Sequence, residues 1–269
     1  MSPEQLDLFQ NPLQRAQELK KAGELTQART LLQRLVHESP DNLSARSMLA
    51  DIFYRTGHYK EALAQAAEIL RRDPKEPRAL TVSGNVMLER KQPAAAAEYF
   101  SAALEIAPTD YLRLRLAECY LKLGQLVEAK NALDQVEGES QSLAFLLVRF
   151  WLFLEQKEQT QARQVFLQAT SVAAPDKQIF ARQILKFLSL CPITLAVELA
   201  SLARGRTGQE RNPYLIIYEA SLSLKLRRPQ RAEELLTLLA EVDLTPSLLR
   251  ERQKLVHRLA RYKRLPADS

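Results

Sequence analysis

An interval of 34 residues runs through this chain. Pro40, Pro74 and Pro108 fall that far apart, and so do Gly23 and Gly57. Small residues keep the same beat at Ala28, Ala62, Ala96, Ala129, Ala162, Ala196 and Ala232, with spacings of 33 to 36. A recurrence this regular means one supersecondary unit repeated along the chain. Each unit buries its apolar face only by stacking on the next.

The unit reads as two helices. Within residues 43–76, Leu49, Ala50, Phe53 and Tyr54 recur at helical spacing before Gly57-His58 stops the pattern. Tyr59, Ala62, Leu63, Ala66, Ile69 and Leu70 form a second apolar stripe, and Arg71 and Arg72 suit the negative end of a helix. Pro74 closes the unit. Ala50 and Ala62 let two backbones come close, and Phe53 and Ile69 fill the space around them.

These residues resemble the tetratricopeptide repeat. That repeat has a small residue at position 8, a large apolar one at 11, Ala at 20, a large one at 24 and Pro at 32. The third unit supplies Gly84, Met87, Ala96, Phe100 and Pro108, and the second Ala50, Phe53, Ala62, Ala66 and Pro74. The first has Ala16, Leu19, Ala28, Leu32 and Pro40; the fourth has Ala117, Tyr120, Ala129 and Leu133 without the proline. Later units are degenerate. Residues 143–176 keep Ala162 and Phe166 but carry Phe150 at the small position. Residues 177–210 keep Ala196 and Ala200, and residues 213–246 keep Ala220, Ala232 and Leu236. The resemblance implies an all-α solenoid superhelix of about seven helix pairs with a C-terminal capping helix. It divides the chain into a tail (1–9), well-matched units (10–137), degenerate units (138–246) and a basic cap and tail (247–269).

The resemblance further implies that the first helix of each unit lines a concave face. It puts there Gln17, Lys20, Lys21, Ser47, Asp51, Tyr54, Arg55, Arg78, Thr81, Asn85, Glu89, Glu118, Lys122, Trp151 and Glu155. Polar groups interleaved with aromatics suit capture of a peptide or helix. The subclass that clamps acidic C-terminal tails is disfavoured: of the five positions it requires, only Arg78 has suitable chemistry. Trp151, the single tryptophan, sits in LAFLLVRFWLFL, a run too short to span a bilayer and expected to be a helix buried on both sides.

At the N-terminus, Gln5, Leu6, Asp7, Leu8 and Phe9 resemble the motif by which bacterial proteins bind the replication sliding clamp. The resemblance implies that Leu8 and Phe9 fill an apolar pocket, Leu6 lies on its rim and Gln5 hydrogen-bonds beside it. The competing reading is local. Ser2-Pro3-Glu4-Gln5 also fits a helix start, with Leu6 and Phe9 packing onto the first repeat and Asn11-Pro12 opening the next helix.

Charge is uneven. Of the formal +6, residues 1–138 contribute −1 and residues 139–269 contribute +7. The end of the chain gathers Arg250, Arg252, Lys254, Arg258, Arg261, Lys263 and Arg264 against Glu251. Its apolar face is expected at Leu248, Leu249, Leu255, Val256, Leu259 and Tyr262. A basic end attracts phosphate backbones, acidic proteins or anionic lipid, although a solubilising cap is the simpler reading.

Chemistry is hard to find. With Gly at only 7 of 269 residues, Gly-rich phosphate loops are not expected. His37, His58 and His257 fit no zinc spacing, and Cys119 and Cys191 have no activating partner. No cofactor, metal or catalytic residue is expected. Residues 204–213, with two glycines and a proline, read as a flexible joint. Without a leader-like N-terminus, the cytoplasm is the expected compartment. The expected function is a non-enzymatic scaffold or adaptor holding a protein partner in its groove, recruited to the sliding clamp through Gln5–Phe9. The alternatives are a chaperone or assembly factor for a secretion, pilus or surface-polymer system, and a non-specific nucleic-acid binder working through the basic C-terminal half.

Overall fold

The computed structural model describes residues 11–137, 142–174, 176–205, 208–240 and 242–264, without the side chains of residues 263 and 264. Among these it forms fifteen α-helices and no strand. They are α1 (Pro12–Lys21), α2 (Leu25–Glu38), α3 (Leu43–Arg55), α4 (Tyr59–Arg72), α5 (Pro77–Glu89), α6 (Pro93–Ile106), α7 (Asp110–Lys122) and α8 (Leu126–Asp134). Then follow α9 (Leu143–Glu155), α10 (Gln159–Val172), α11 (Lys177–Leu188), α12 (Ile193–Arg204), α13 (Pro213–Lys225), α14 (Pro229–Thr237) and α15 (Pro246–Arg264). The chain divides into two compact units, residues 1–138 and 139–269.

The local code is the same in every pair. Each odd-numbered helix from α1 to α13 starts under a side-chain cap. Asn11, Asn42, Glu76, Thr109, Ser142, Asp176 and Asn212 each accept a hydrogen bond from a backbone N–H of the first turn. The helices that follow, α2 to α14, carry no such cap. They start instead from a tight turn that reverses the chain. In six of seven pairs one residue of that turn is left-handed: Gly23, Gly57 and Gly124, and, without glycine's freedom, Lys91, Lys157 and Arg227. The exception is the α11–α12 turn, where Pro192 fixes the backbone ahead of α12.

The periodic alanines are the inner contacts. Ala28, Ala62, Ala96, Ala129, Ala162, Ala196 and Ala232 are all buried. In the first unit Gly84 lies directly under the Phe100 ring, where a Cβ would stand 2.7 Å from it. In the second unit Phe150 occupies the same repeat position. Its ring meets Phe166 at 6.1 Å and Phe187 at 5.4 Å between centroids, and all three are fully buried. An aromatic trio thus replaces the small-against-large contact.

Two expectations are corrected here. The loop 204–213 is not a free joint along its described part. Asn212 is fully buried, and its amide donates to Lys177 O at 2.8 Å and to Gln209 Oε1 at 2.7 Å. On α15 only Leu248, Leu255 and Leu259 are buried, with Tyr262 packed beside them on α13 and α14. Leu249 and Val256 are 41% and 44% exposed, because they fall on the flank of the helix rather than beneath it.

Candidate functional site

The helices α1, α3, α5 and α7 of the first unit border a groove of about 560 Å³. Capping at the start of each helix sets their register, so residues of like repeat position stand side by side. From α1 come Leu13, Gln17 and Lys20; from α3 Ser47, Met48 and Asp51; from α5 Arg78, Thr81, Val82 and Asn85; and from α7 Tyr111. Apolar Leu13, Met48 and Val82 alternate with groups that donate or accept hydrogen bonds.

Asn85 is the organising residue. It is only 4% exposed although it borders the groove. Its Oδ1 accepts from the Tyr111 hydroxyl at 2.9 Å and from Arg115 Nε at 3.0 Å. Arg115 pairs in turn with Glu118 at 2.7 Å, and Glu118 with Lys122 at 3.5 Å. With Oδ1 occupied twice, the amide nitrogen carries the donors Asn85 can offer. Tyr111 is 42% exposed, yet burial around its hydroxyl pushes the pKa up against the opposing pull of Arg115. Toward the mouth of the groove, Lys20 Nζ and Asp51 Oδ2 lie 2.6 Å apart, which cancels their charges locally.

Tyr54 packs against Tyr59 with ring centroids 6.1 Å apart. Burial raises the Tyr54 pKa, and the Arg115 guanidinium works against the rise. Tyr59 is raised by burial first and then by the negative charge of Glu89.

Of the expected groove residues, the structure brings Gln17, Lys20, Ser47, Asp51, Arg78, Thr81 and Asn85 into one lining. Glu118 and Lys122 join through Arg115. Tyr54 and Glu89 form an adjoining aromatic and acidic patch. Lys21 and Arg55 are exposed and lie outside the lining; Lys20 takes the inward place. Sequence reasoning missed Tyr111 and Arg115. Arg113 and Arg115 alternate with Leu112, Leu114 and Leu116, which hides the helical stripe to which Arg115 belongs.

Trp151 belongs to the second unit. It is half-buried rather than buried on both sides, and its Nε1 donates to Glu155 at 2.9 Å. Phe145, Leu146, Val148, Phe150 and Leu152 form the packed side of α9. The basic end also splits. Arg250, Lys254, Arg258 and Arg261 lie exposed on one face of α15, whereas Arg252 is partly buried on the packed side. The side chains of Lys263 and Arg264, and the whole of Gln5–Phe9, lie outside the described residues.

Burial pushes the thiols of Cys119 and Cys191 up to about 12, so neither forms a nucleophilic thiolate near neutral pH. Among the described residues no group of three or more His, Cys, Asp or Glu could hold a metal ion, and no helix is long and apolar enough to cross a membrane.

Two stretches of the chain, residues 19–85 and 87–144, match the tetratricopeptide repeat family. Those two stretches are similar to tetratricopeptide repeats, and together they cover a little under half of the chain. No curated protein sequence matches the chain. Among solved structures, a tetratricopeptide repeat protein of Parabacteroides merdae superposes with a TM-score of 0.60 at 16% identity, over 91% of this chain and 97% of its own. PilF of Pseudomonas aeruginosa gives 0.55 at 16% identity over 83% and 94%. A tetratricopeptide repeat protein of Thermus thermophilus gives 0.55 at 22% identity over 66% and 98%. At such identities the likeness is one of fold. The tetratricopeptide fold suggests an interaction scaffold, and the second unit continues the helix-pair plan with its own core chemistry.

Proposed function

We propose that this tetratricopeptide protein is a scaffold that holds a peptide segment in the groove of its first unit. The observation that supports this reading is Asn85, a nearly buried amide held by Tyr111 and Arg115 at the groove wall. Preorganised donors beside small apolar surfaces suit a peptide backbone with spaced side chains, and the fixed network lowers the entropy cost of binding. The Lys20–Asp51 pair leaves Arg78 as the exposed cation of the lining, so the segment carries a carboxylate opposite Arg78.

The test is selection of a random dodecapeptide library on the full-length protein, followed by titration of enriched peptides. Enriched sequences bind at about micromolar Kd, roughly −8 kcal/mol. Asn85→Ala weakens them at least about tenfold, about 1.4 kcal/mol, with unchanged helicity. Peptides that bind Asn85→Ala as well as wild type contradict the groove assignment.

A second reading rests on Gln5–Phe9, where all five residues fit the sliding-clamp-binding pattern. On this reading the tail recruits the scaffold to the clamp while the groove holds another partner. Titration with a bacterial sliding clamp checks it: binding is lost in the Leu8→Ala, Phe9→Ala double variant. No binding by wild type removes the reading.

A further inference from the structure

The exposed face of α15 does something the groove does not explain. Arg250, Lys254, Arg258 and Arg261 follow one another at steps of three and four residues, with His257 beside Arg258, so they share one side of the helix. Leu248, Leu255 and Leu259 are buried on the other side, Leu255 and Leu259 in one cluster with Ile216, Ala220 and Leu235. The helix is therefore anchored by its apolar side and displays a row of cations about 16 Å long. Lys254 pairs with Glu251 at the edge of the row at 2.7 Å. Arg258 and Arg261 have no acidic partner among the described residues. The imidazole of His257 is turned by its Nδ1 contact to Gln253 O at 2.9 Å, which leaves Nε2 outward.

A solubilising cap tuned to the helix dipole does not account for this row. The dipole favours cations only in the last turn, which covers Arg261 but not Arg250 near the positive end or Lys254 in the middle. Like charges three and four apart also repel and destabilise the helix. A polyanion laid along the row relieves both penalties.

We propose that this face binds the phosphodiester backbone of a nucleic acid duplex without reading its sequence. Three of the four permanent cations are arginines, whose forked guanidinium matches phosphate oxygens two at a time. Apart from the His257 imidazole, the row carries no apolar or aromatic side chain. It therefore lacks the anchor that an interfacial membrane helix or a protein hot spot requires. The exposed Leu249 and Val256 lie on the flank, about a quarter of a turn from the nearest member of the row. The row of guanidinium and ammonium groups suits phosphate oxygens, contacts that position a duplex without carrying sequence information.

The experiment is fluorescence anisotropy of the full-length protein with two 20-base-pair DNA duplexes of unrelated sequence. Wild type binds both within about threefold of each other, at roughly 10⁻⁶ to 10⁻⁴ M. Raising salt from about 50 to 200 mM weakens binding about a hundredfold, as four phosphate contacts require. The Arg250→Glu, Arg258→Glu, Arg261→Glu variant loses at least about tenfold. So does the corresponding triple Gln variant, which keeps helix propensity and guards against a folding defect. A control with equal charge change elsewhere, Lys60→Glu, Lys75→Glu, Lys130→Glu, stays within about threefold of wild type. No duplex binding by wild type at low salt overturns the proposal. So does an equal loss in the control, or tighter binding to phosphatidylserine vesicles than to duplex.

Discussion

Position 8 of the repeat is filled in opposite ways in the two units. In the third repeat it is Gly84, and the Phe100 ring fills the space a side chain would have taken. In the fifth repeat it is Phe150, and the facing residue is again a phenylalanine, Phe166. Two rings where the pattern expects a small residue facing a large one are accommodated because Phe187 of the next helix pair meets both edge-on, at 5.4 and 6.1 Å. The lesson is that the repeat conserves a filled volume, not a residue. The first unit achieves it by close approach of helices, and the second by an aromatic cluster reaching into the next pair.

The largest effect comes from emptying the cluster. Phe150→Ala removes a fully buried ring that touches two others, at a cost of about 3–5 kcal/mol. Urea unfolding followed by circular dichroism measures it, and a cost under about 1 kcal/mol would mean that the second unit does not depend on its rings. Next is the mirror change. Gly84→Ala puts a methyl 2.7 Å from the Phe100 ring, and overpacking costs about 1–3 kcal/mol. A second substitution, Phe100→Leu, recovers part of that loss in a double-mutant cycle, because the clash and its relief share one contact.

A smaller effect separates the turns. Lys91 has the left-handed backbone that Gly57 has one repeat earlier. Lys91→Gly therefore raises stability by about 0.5–1 kcal/mol, and thermal melts beside Gly57→Ala, which moves the other way, compare the two turns. The smallest effect is electrostatic. Arg71 and then Arg72 hold the Glu68 carboxyl down at about 2. Its folded value lies below its unfolded one. Its stabilisation is therefore present above about pH 4.5 and fades as pH falls toward 2. The melting difference between wild type and Glu68→Gln narrows over that window.

Much of the fold was legible because it is periodic. The alanines at position 20 are buried throughout, and the cap residues from Asn11 to Asn212 sit where each first helix begins. The groove face was legible for the same reason, since repeat position dictates which residues turn inward. What escaped depends on partners far along the chain. Arg115 and Tyr111 reach Asn85 across 30 and 26 residues, and no local pattern marks that meeting. Phe150 read as a departure from the repeat because its compensation lies in Phe187, one pair further on. Arg252 looked like one cation among seven until the register of α15 turned it toward the packed side.

The central claim is that two distinct surfaces serve two ligands: a polar groove in the first unit and a basic helix face in the second. One measurement addresses both. Titrate a selected groove peptide and a DNA duplex, each against wild type, Asn85→Ala and the α15 triple charge reversal. The account predicts that Asn85→Ala loses the peptide and keeps the duplex, while the triple variant does the reverse. A variant that loses both ligands while keeping its helicity, or loss of neither ligand in either variant, contradicts it.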